Sequence, residues 1–173
     1  GNTNQPPPAR LPIITLLPGA VVEADAGQTN HLSFGVKLSH PSPLPVWVVY
    51  GTQNGAAHSG TDYVASSGLV RFEPGDTMTN FVVPVIGDNV EEQLHERFNS
   101  VLGAATNGLI GVGFANGVIV DNDGTNANGA VALVVADGAI YEGDTGQSQL
   151  DLRVMLTRPD AAEVRVDYAT RDN

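Results

Sequence analysis

The sequence predicts an all-β protein, and three of its features indicate this fold class. The 173 residues include 20 Gly and 11 Pro but only 5 Phe, 4 Tyr and 1 Trp, which favours short strands and turns over long helices. From Ile13 onward, β-branched runs alternate with clusters of turn-forming residues, as in a β-sandwich or barrel. The hydrophobic content of 42% is that of a packed globular protein.

The alternation predicts seven antiparallel strands, A to G, in the first part of the chain. They cover Ile13–Leu17, Leu32–Ser39, Val46–Thr52, Gly68–Phe72, Met78–Ile86, Arg97–Ala104 and Leu109–Asp121. Strand C shows a clear period of two, because Val46, Val48 and Tyr50 share one face. Trp47, in the same strand, is expected to pack in the core, as in other sandwiches.

One segment also carries a helical signal. Val90, Leu94, Phe98 and Val101–Leu102 are spaced near 3.6 residues. One helical turn at Glu91–His95 is therefore an alternative to a loop at this point, with strand F following it.

The chain repeats itself. Residues 22–28 (Val-Glu-Ala-Asp-Ala-Gly-Gln) align with residues 141–147 (Tyr-Glu-Gly-Asp-Thr-Gly-Gln) at an offset of 141 − 22 = 119. After a one-residue gap the offset becomes 118, and the strand C pattern recurs at 164–170. Tandem units of this period are typical of repeat arrays, in which each unit contacts its neighbours.

These patterns divide the chain into four segments. Residues 1–12 hold four of the eleven prolines and read as a Pro-rich linker, and residues 13–123 as one complete sandwich. Residues 124–129 form a short Gly/Asn linker, and residues 130–173 form the first three strands of a second unit. Three strands alone leave an apolar face uncovered, so we expect a second copy of the chain, or a fragment with the absent strands, to cover it.

The charge balance excludes several classes of partner. Eight Lys and Arg against 19 Asp and Glu give a net charge of −11, which is unsuited to nucleic acid or to an anionic membrane surface. No apolar stretch approaches about 18 residues, so direct membrane insertion is not expected. Cys is absent and the four His stand outside any catalytic motif, so we expect no enzyme activity.

Acidic residues are segregated to one end of the predicted sandwich. In a meandering antiparallel order, loops AB, CD and EF and the exit from strand G lie at the same end, and only Glu73 and Asp76 lie at the other. The eight acids at the first end are Glu23, Asp25, Asp62, Asp88, Glu91, Glu92, Asp121 and Asp123. Like charges so close together repel unless a cation neutralises them, although each acid taken alone could be a solvated surface group. Calcium, a hard cation that takes six to eight oxygen ligands in flexible geometry, suits converging loops.

Short motifs follow one another in a fixed order through the first unit. They are Tyr50-Gly-Thr52, Gly60-Thr-Asp62-Tyr63, Gly68-x-Val70-x-Phe72-x-x-Gly75, Val83-Pro-Val85-Ile86-x-Asp88-Asn89, Glu92, Glu96-x-Phe98 and Val118-Ile-Val-Asp121-Asn-Asp123. Each is weakly specific alone, but the ordered set resembles the Calx-beta domain, over about 13–123 and again from 140 to 173. The resemblance implies a seven-stranded immunoglobulin-like sandwich with calcium sites at the acidic end.

The resemblance also implies a set of calcium ligands. Carried over position by position, the set is Glu23, Asp62, Asp88, Glu92, Asp121 and Asp123, with the backbone carbonyl of Asn122, and Glu142 as the second-unit counterpart of Glu23. The chain departs from the richest calcium-binding members at Gly87, where they have the first of two consecutive aspartates, and at Asn122, which interrupts their run of acids. Its spacing from Glu92 to Glu96 is also one residue longer. We therefore expect one or two Ca²⁺ ions.

The resulting prediction is a non-enzymatic calcium-binding repeat of a secreted or cell-surface protein. Calcium would stiffen the array or support adhesion, and neighbouring repeats of the same protein are the expected partners. The alternative is a structural spacer or protein-binding module that keeps the fold and binds no physiological metal. Titrating calcium into chelator-treated protein distinguishes the two.

Overall fold

A computed structural model gives the fold, and it describes residues 10–123, 133–135, 146–147, 149–150, 152, 154–156 and 162–171. The strands are β1 (Ile13–Leu16), β2 (Gly19–Val22), β3 (Thr29–Leu38), β4 (Val46–Gln53), β5 (Ser67–Phe72), β6 (Met78–Ile86), β7 (His95–Thr106), β8 (Leu109–Val112), β9 (Phe114–Val120), β10 (Leu133–Val135) and β11 (Val154–Leu156). Across these ranges there is no helix long and apolar enough to cross a membrane.

The first nine strands form two sheets of a sandwich. One sheet has the order β6-β3-β1-β8 and the other has the order β2-β9-β7-β4-β5. β1 pairs in parallel with β8, and β2 pairs in parallel with β9, whereas the other pairs are antiparallel. The predicted all-β sandwich is thus confirmed. The expected meandering antiparallel order is wrong, because β1–β8 and β2–β9 are parallel pairs and most neighbours within the sheets are not consecutive in the chain.

The structure differs from the predicted strands at the first and last strands of this unit. The chain leaves the first sheet after Leu16, passes through Leu17 and Pro18, and enters the second sheet as β2, which the sequence analysis did not predict. Predicted strand G is divided in the same way at Gly113 into β8 and β9. Proline lacks the N–H that would continue a ladder, so Pro18 suits the crossing. The two halves of predicted strand A therefore pair with the two halves of predicted strand G, β1 with β8 and β2 with β9.

The helical turn considered at Glu91–His95 does not form. Residues 91–94 are irregular and β7 begins at His95. Leu94 packs against a small apolar cluster that contains Val118 and Val120, whereas Phe98 lies in the main core. The helix-like spacing therefore reflects contacts with two different clusters.

Aromatic rings form the centre of the main core, between the two sheets. The ring centroids of Phe34 and Phe81 lie 5.3 Å apart in a stack, and Phe98 meets Phe34 edge-on at 5.8 Å. The expectation that Trp47 packs in this core is wrong. Its neighbours Val46 and Val48 are the buried residues. Trp47 points the other way along the pleat, with the Arg71 guanidinium 4.8 Å from its ring centroid.

The described part of the second unit contains one antiparallel pair. β10 pairs with β11 in the register Leu133↔Leu156, and β1 pairs with β3 in the register Ile14↔Leu38. These registers correspond, since 14 + 119 = 133 and 38 + 118 = 156. Residues 164–171, which align with β4, do not form a strand. The linker at 124–129, Glu142 and most of segment 1–12 lie outside the described residues.

Candidate metal centre

The loops after β2, β4 and β6 and the segment after β9 converge at one end of the first unit. β2 runs parallel to β9, and β7 runs antiparallel to both β9 and β4. β6 and β1 likewise run opposite to β3. The loops that were predicted to share an end therefore do so, and they carry the acidic residues there.

The core positions Asp62, which lies in the β4–β5 loop. The following residue, Tyr63, is 1% exposed, and its ring stacks on Phe98 with centroids 4.2 Å apart. The Ile86 N–H donates to the Asp62 carbonyl oxygen at 2.9 Å, which ties the loop to the end of β6. Asp62 Oδ2 itself accepts a hydrogen bond from the His58 N–H at 2.6 Å.

Three carboxylates form what we call the first cluster, namely Glu23, Asp88 and Asp123. Their nearest oxygens all lie within 4.8 Å of one another. Glu23 is only 6% exposed. Within the described structure, Glu23 Oε1 and Asp123 Oδ2 are buried without a hydrogen-bond partner, and so is Oδ1 of Asn122, the residue before Asp123 in the chain. Most buried polar atoms in proteins are paired, so two unpaired carboxylate oxygens within one cluster indicate a place for a cation.

Asp62, Glu92 and Glu96 form the second cluster, whose nearest oxygens also lie within 4.8 Å of one another. Glu96 was absent from the ligand set inferred from the sequence. The sequence did hold a signal, because Glu96 directly precedes Arg97, where strand F was predicted to begin, and so belongs to the acidic end. Predicting the contact required the fold, since Asp62 is 34 residues away in the chain (96 − 62).

Asp121 lies between the two clusters and is 3% exposed. Its Oδ2 accepts the N–H of Glu92 at 2.8 Å and its Oδ1 accepts the N–H of Asp123 at 2.7 Å. The Asp121 carboxylate therefore accepts a backbone N–H from one residue of each cluster. This arrangement fixes the β6–β7 loop to the segment after β9.

The acids at this end raise one another's pKa. Burial, and then the charge of Asp121, raise the pKa of Glu23 to about 8 from an ordinary value of 4.5. Burial, and then the charge of Asp62, raise the pKa of Glu92 to about 7, and the same two causes raise the pKa of Glu96. Without a cation, protons partly neutralise the site.

The structure places six of the seven first-unit ligands predicted from the sequence in or between the clusters. Glu23, Asp88 and Asp123 share the first cluster, Asp62 and Glu92 share the second, and Asp121 bridges them. The backbone carbonyl of Asn122 stays a predicted ligand, and the side-chain oxygen of this residue is buried and unpaired. The donor set consists of oxygen atoms throughout, which suits a hard cation and not a soft one.

Comparisons with known proteins found similarity in both sequence and fold. The family profile described as the Calx-beta domain matches residues 33–123. Sodium/calcium exchanger 2 of Mus musculus is 27% identical over 142 residues, a match that covers 73% of this chain and 15% of the exchanger. The chain therefore spans a small part of that curated relative.

Two crystal structures share the fold. The apo-form Calx CBD1 domain superposes with a TM-score of 0.55 at 27% identity, over 66% of this chain and all of that one. CBD12 from CALX1.2 gives a TM-score of 0.56 at 29% identity, over 64% of this chain and 46% of that one.

Proposed function

Because the chain belongs to the Calx-beta domain family, we propose that its first unit binds calcium at the acidic end of the sandwich. The observation that carries this proposal is the set of unpaired buried oxygens on Glu23, Asn122 and Asp123. Leaving a buried acceptor unpaired costs about 1–3 kcal/mol, and more for a charged group. A bound cation offsets that cost.

Calcium fits the donor set better than other cations do. It takes six to eight oxygens from carboxylates, amides, carbonyls and waters at variable geometry, whereas magnesium demands an octahedron. Each cluster offers three carboxylates, and Asn122, next to Asp123 in the chain, has an unpaired amide oxygen. One ion in each cluster agrees with the one or two ions expected from the sequence.

The proposed role is non-enzymatic. An ion in the first cluster would link the β2–β3 loop to the β6–β7 loop and the end of β9, and an ion in the second would link the β4–β5 loop to the start of β7. Calcium thereby replaces repulsion between loops with shared ligation and stiffens this end of the unit.

We also propose that residues 130–173 begin a second unit of the same kind. The identical registers of β10–β11 and β1–β3 support this. Leu152 and Val166 are 52% and 54% exposed, whereas Phe34 and Val48, their counterparts at an offset of 118, are both 0% exposed. The partner that we propose for the first unit is this neighbouring unit of the same chain. A second copy, or a fragment with the later strands, covering this face stays a prediction that sedimentation of the chain tests.

The expected secreted or cell-surface location, with a role in adhesion, also stays a prediction. It rests on the resemblance to the Calx-beta domain, a family that recurs in many surface proteins. Accessibility of the protein to an impermeant label on intact cells tests it.

Calorimetric titration of chelator-treated protein tests the calcium proposal. We expect saturable calcium binding with one or two ions per chain and a weaker response to magnesium. Absence of calcium binding would favour the alternative of a structural spacer or protein-binding module.

A further inference from the structure

We infer that Gly87 is a positioning residue for the first cluster. Because Gly87 lacks a side chain, the β2–β3 loop can pack directly against the β6–β7 loop, and this contact brings Glu23 close to Asp88. The inference rests on the proposed function, since it assigns a role within the same site. It makes the first cluster depend on a contact between two backbones as well as on its acidic residues.

The contact between the loops is too close for any side chain at position 87. A Cβ built on Gly87 would lie 2.7 Å from the carbonyl oxygen of Asp25 and closer still to the carbonyl of Ala24, whereas real Cβ contacts under 3.0 Å are essentially absent. The Gly87 N–H donates to the Gln28 carbonyl oxygen at 3.1 Å on the same loop. All of these neighbours are backbone atoms, so they cannot rotate away as the end of a flexible side chain could.

The contact between the two loops lies next to two of the proposed ligands in the chain. Glu23 is bonded to Ala24 in the chain and Asp88 is bonded to Gly87, so the contact joins the residues next to two members of the cluster. The N–H of Glu23 also donates to the Val120 carbonyl at 3.0 Å, which holds its backbone beside β9. Metal–oxygen distances are met within about 0.2 Å, so a loop displaced by a methyl group loses the arrangement.

The second cluster provides an internal reference. The three atoms nearest to a Cβ at position 87 all belong to Ala24 and Asp25, and none belongs to Asp62, Glu92 or Glu96. A substitution at Gly87 should therefore weaken the first cluster and spare the second. Loss of binding at both would indicate general disruption of the loops.

Geometry and charge predict opposite outcomes for Gly87→Asp. A second carboxylate beside Asp88 increases the negative charge at the site, which alone would tighten calcium binding. The Cβ that comes with it displaces Ala24 and takes Glu23 away. We expect displacement to dominate, so that Gly87→Asp, like Gly87→Ala, binds the first-cluster ion at least tenfold more weakly than the unchanged chain.

The first experiment tests the contact between the two loops in the absence of metal. In chelator, amide exchange measured by NMR should be at least tenfold faster at residues 87 and 28 in Gly87→Ala, with the β3–β6 ladder unchanged as the standard. Gly51→Ala is the matched control, because a Cβ there meets nothing within 4 Å. Unchanged exchange at residues 87 and 28 would overturn the inference, whether or not the protein binds calcium.

Calcium titration of the same variants is the second test. Gly87→Ala and Gly87→Asp should each lose or weaken one ion, while Gly51→Ala matches the unchanged chain. Full affinity in Gly87→Ala, or tighter binding in Gly87→Asp, would overturn the inference. An unchanged chain that binds no calcium would overturn the proposed function instead, and the exchange measurement would still decide the role of Gly87.

Discussion

The two ends of the first sandwich use acidic residues in different ways. At the end with few acids, Asp76 Oδ2 accepts the N–H of Glu73 at 3.0 Å, and Glu73 pairs with Arg71 at 2.9 Å. These acids are exposed, and they close a turn. At the other end Glu23 and Asp121 are buried, and the first cluster keeps oxygens that no described group satisfies.

This difference shows that the number of acids alone does not identify a site. A surface carboxylate that is paired in its own turn is stable without a ligand and gains little from one. A buried carboxylate beside others is costly until a proton or cation arrives. Burial together with unpaired oxygens distinguishes the two ends.

Adding calcium should produce the largest effect, because the ion binds a constellation that only the native state holds. At about 1,000 times its dissociation constant, a ligand stabilises the native state by about 4 kcal/mol. Urea unfolding in chelator, in calcium and in magnesium measures this, with magnesium as the control. An identical midpoint in chelator and in calcium would remove the contrast between the two ends.

Glu23→Gln should give the next largest effect. The amide keeps the shape of the side chain but removes the charge of the most buried ligand in the first cluster. We expect calcium affinity at that cluster to fall at least tenfold, which is about 1.4 kcal/mol. The second cluster, which lacks Glu23, should titrate as before and serves as the control. Wild-type affinity in this variant would exclude Glu23 as a ligand.

Most of the fold could be predicted because its signals are local. Alternation with period two and turn residues located the strands, and strand direction then placed the acidic loops at one end. Strand β2 could not be predicted in this way, since its sheet is set by β9, which lies almost a hundred residues later.

The grouping of the ligands was less accessible from the sequence. Glu96 joins Asp62 only because β7 begins beside the β4–β5 loop. The bridging role of Asp121 depends on the N–H groups of Glu92 and Asp123, which two separate loops orient. Backbone orientation of this kind leaves no pattern in residue types.

The pH dependence of metal-free stability should also distinguish the ends. The raised pKa values of Glu23, about 8, and Glu92, about 7, mean that between about pH 4.5 and 8 these two side chains hold more protons in the native state than in the unfolded chain. Stability in chelator should therefore decrease as the pH rises from about 5 to 8, by at most about 1.4 kcal/mol per pH unit for each group.

Calcium should oppose that decrease, because it binds the ionised carboxylates and its affinity grows as they lose protons. Urea midpoints at pH 5, 6, 7 and 8, with and without calcium, measure both trends. A metal-free midpoint that rises through this range would contradict the burial of ionisable groups at the acidic end.

Asp76→Ala should have the smallest effect, and it should be the same with and without calcium. The substitution removes the hydrogen bond that the Glu73 N–H donates to Asp76. Such a bond contributes about 1 kcal/mol to the free energy of unfolding. Asp76 lies at the opposite end from both clusters, where solvent and salt screen its charge from a bound ion. Urea unfolding of this variant in chelator and in calcium should therefore show the same small loss, and calorimetry should return the unchanged affinity. If Asp76→Ala reduced calcium binding as much as Glu23→Gln does, the cation would be responding to net charge, and the unpaired buried oxygens would not form a site.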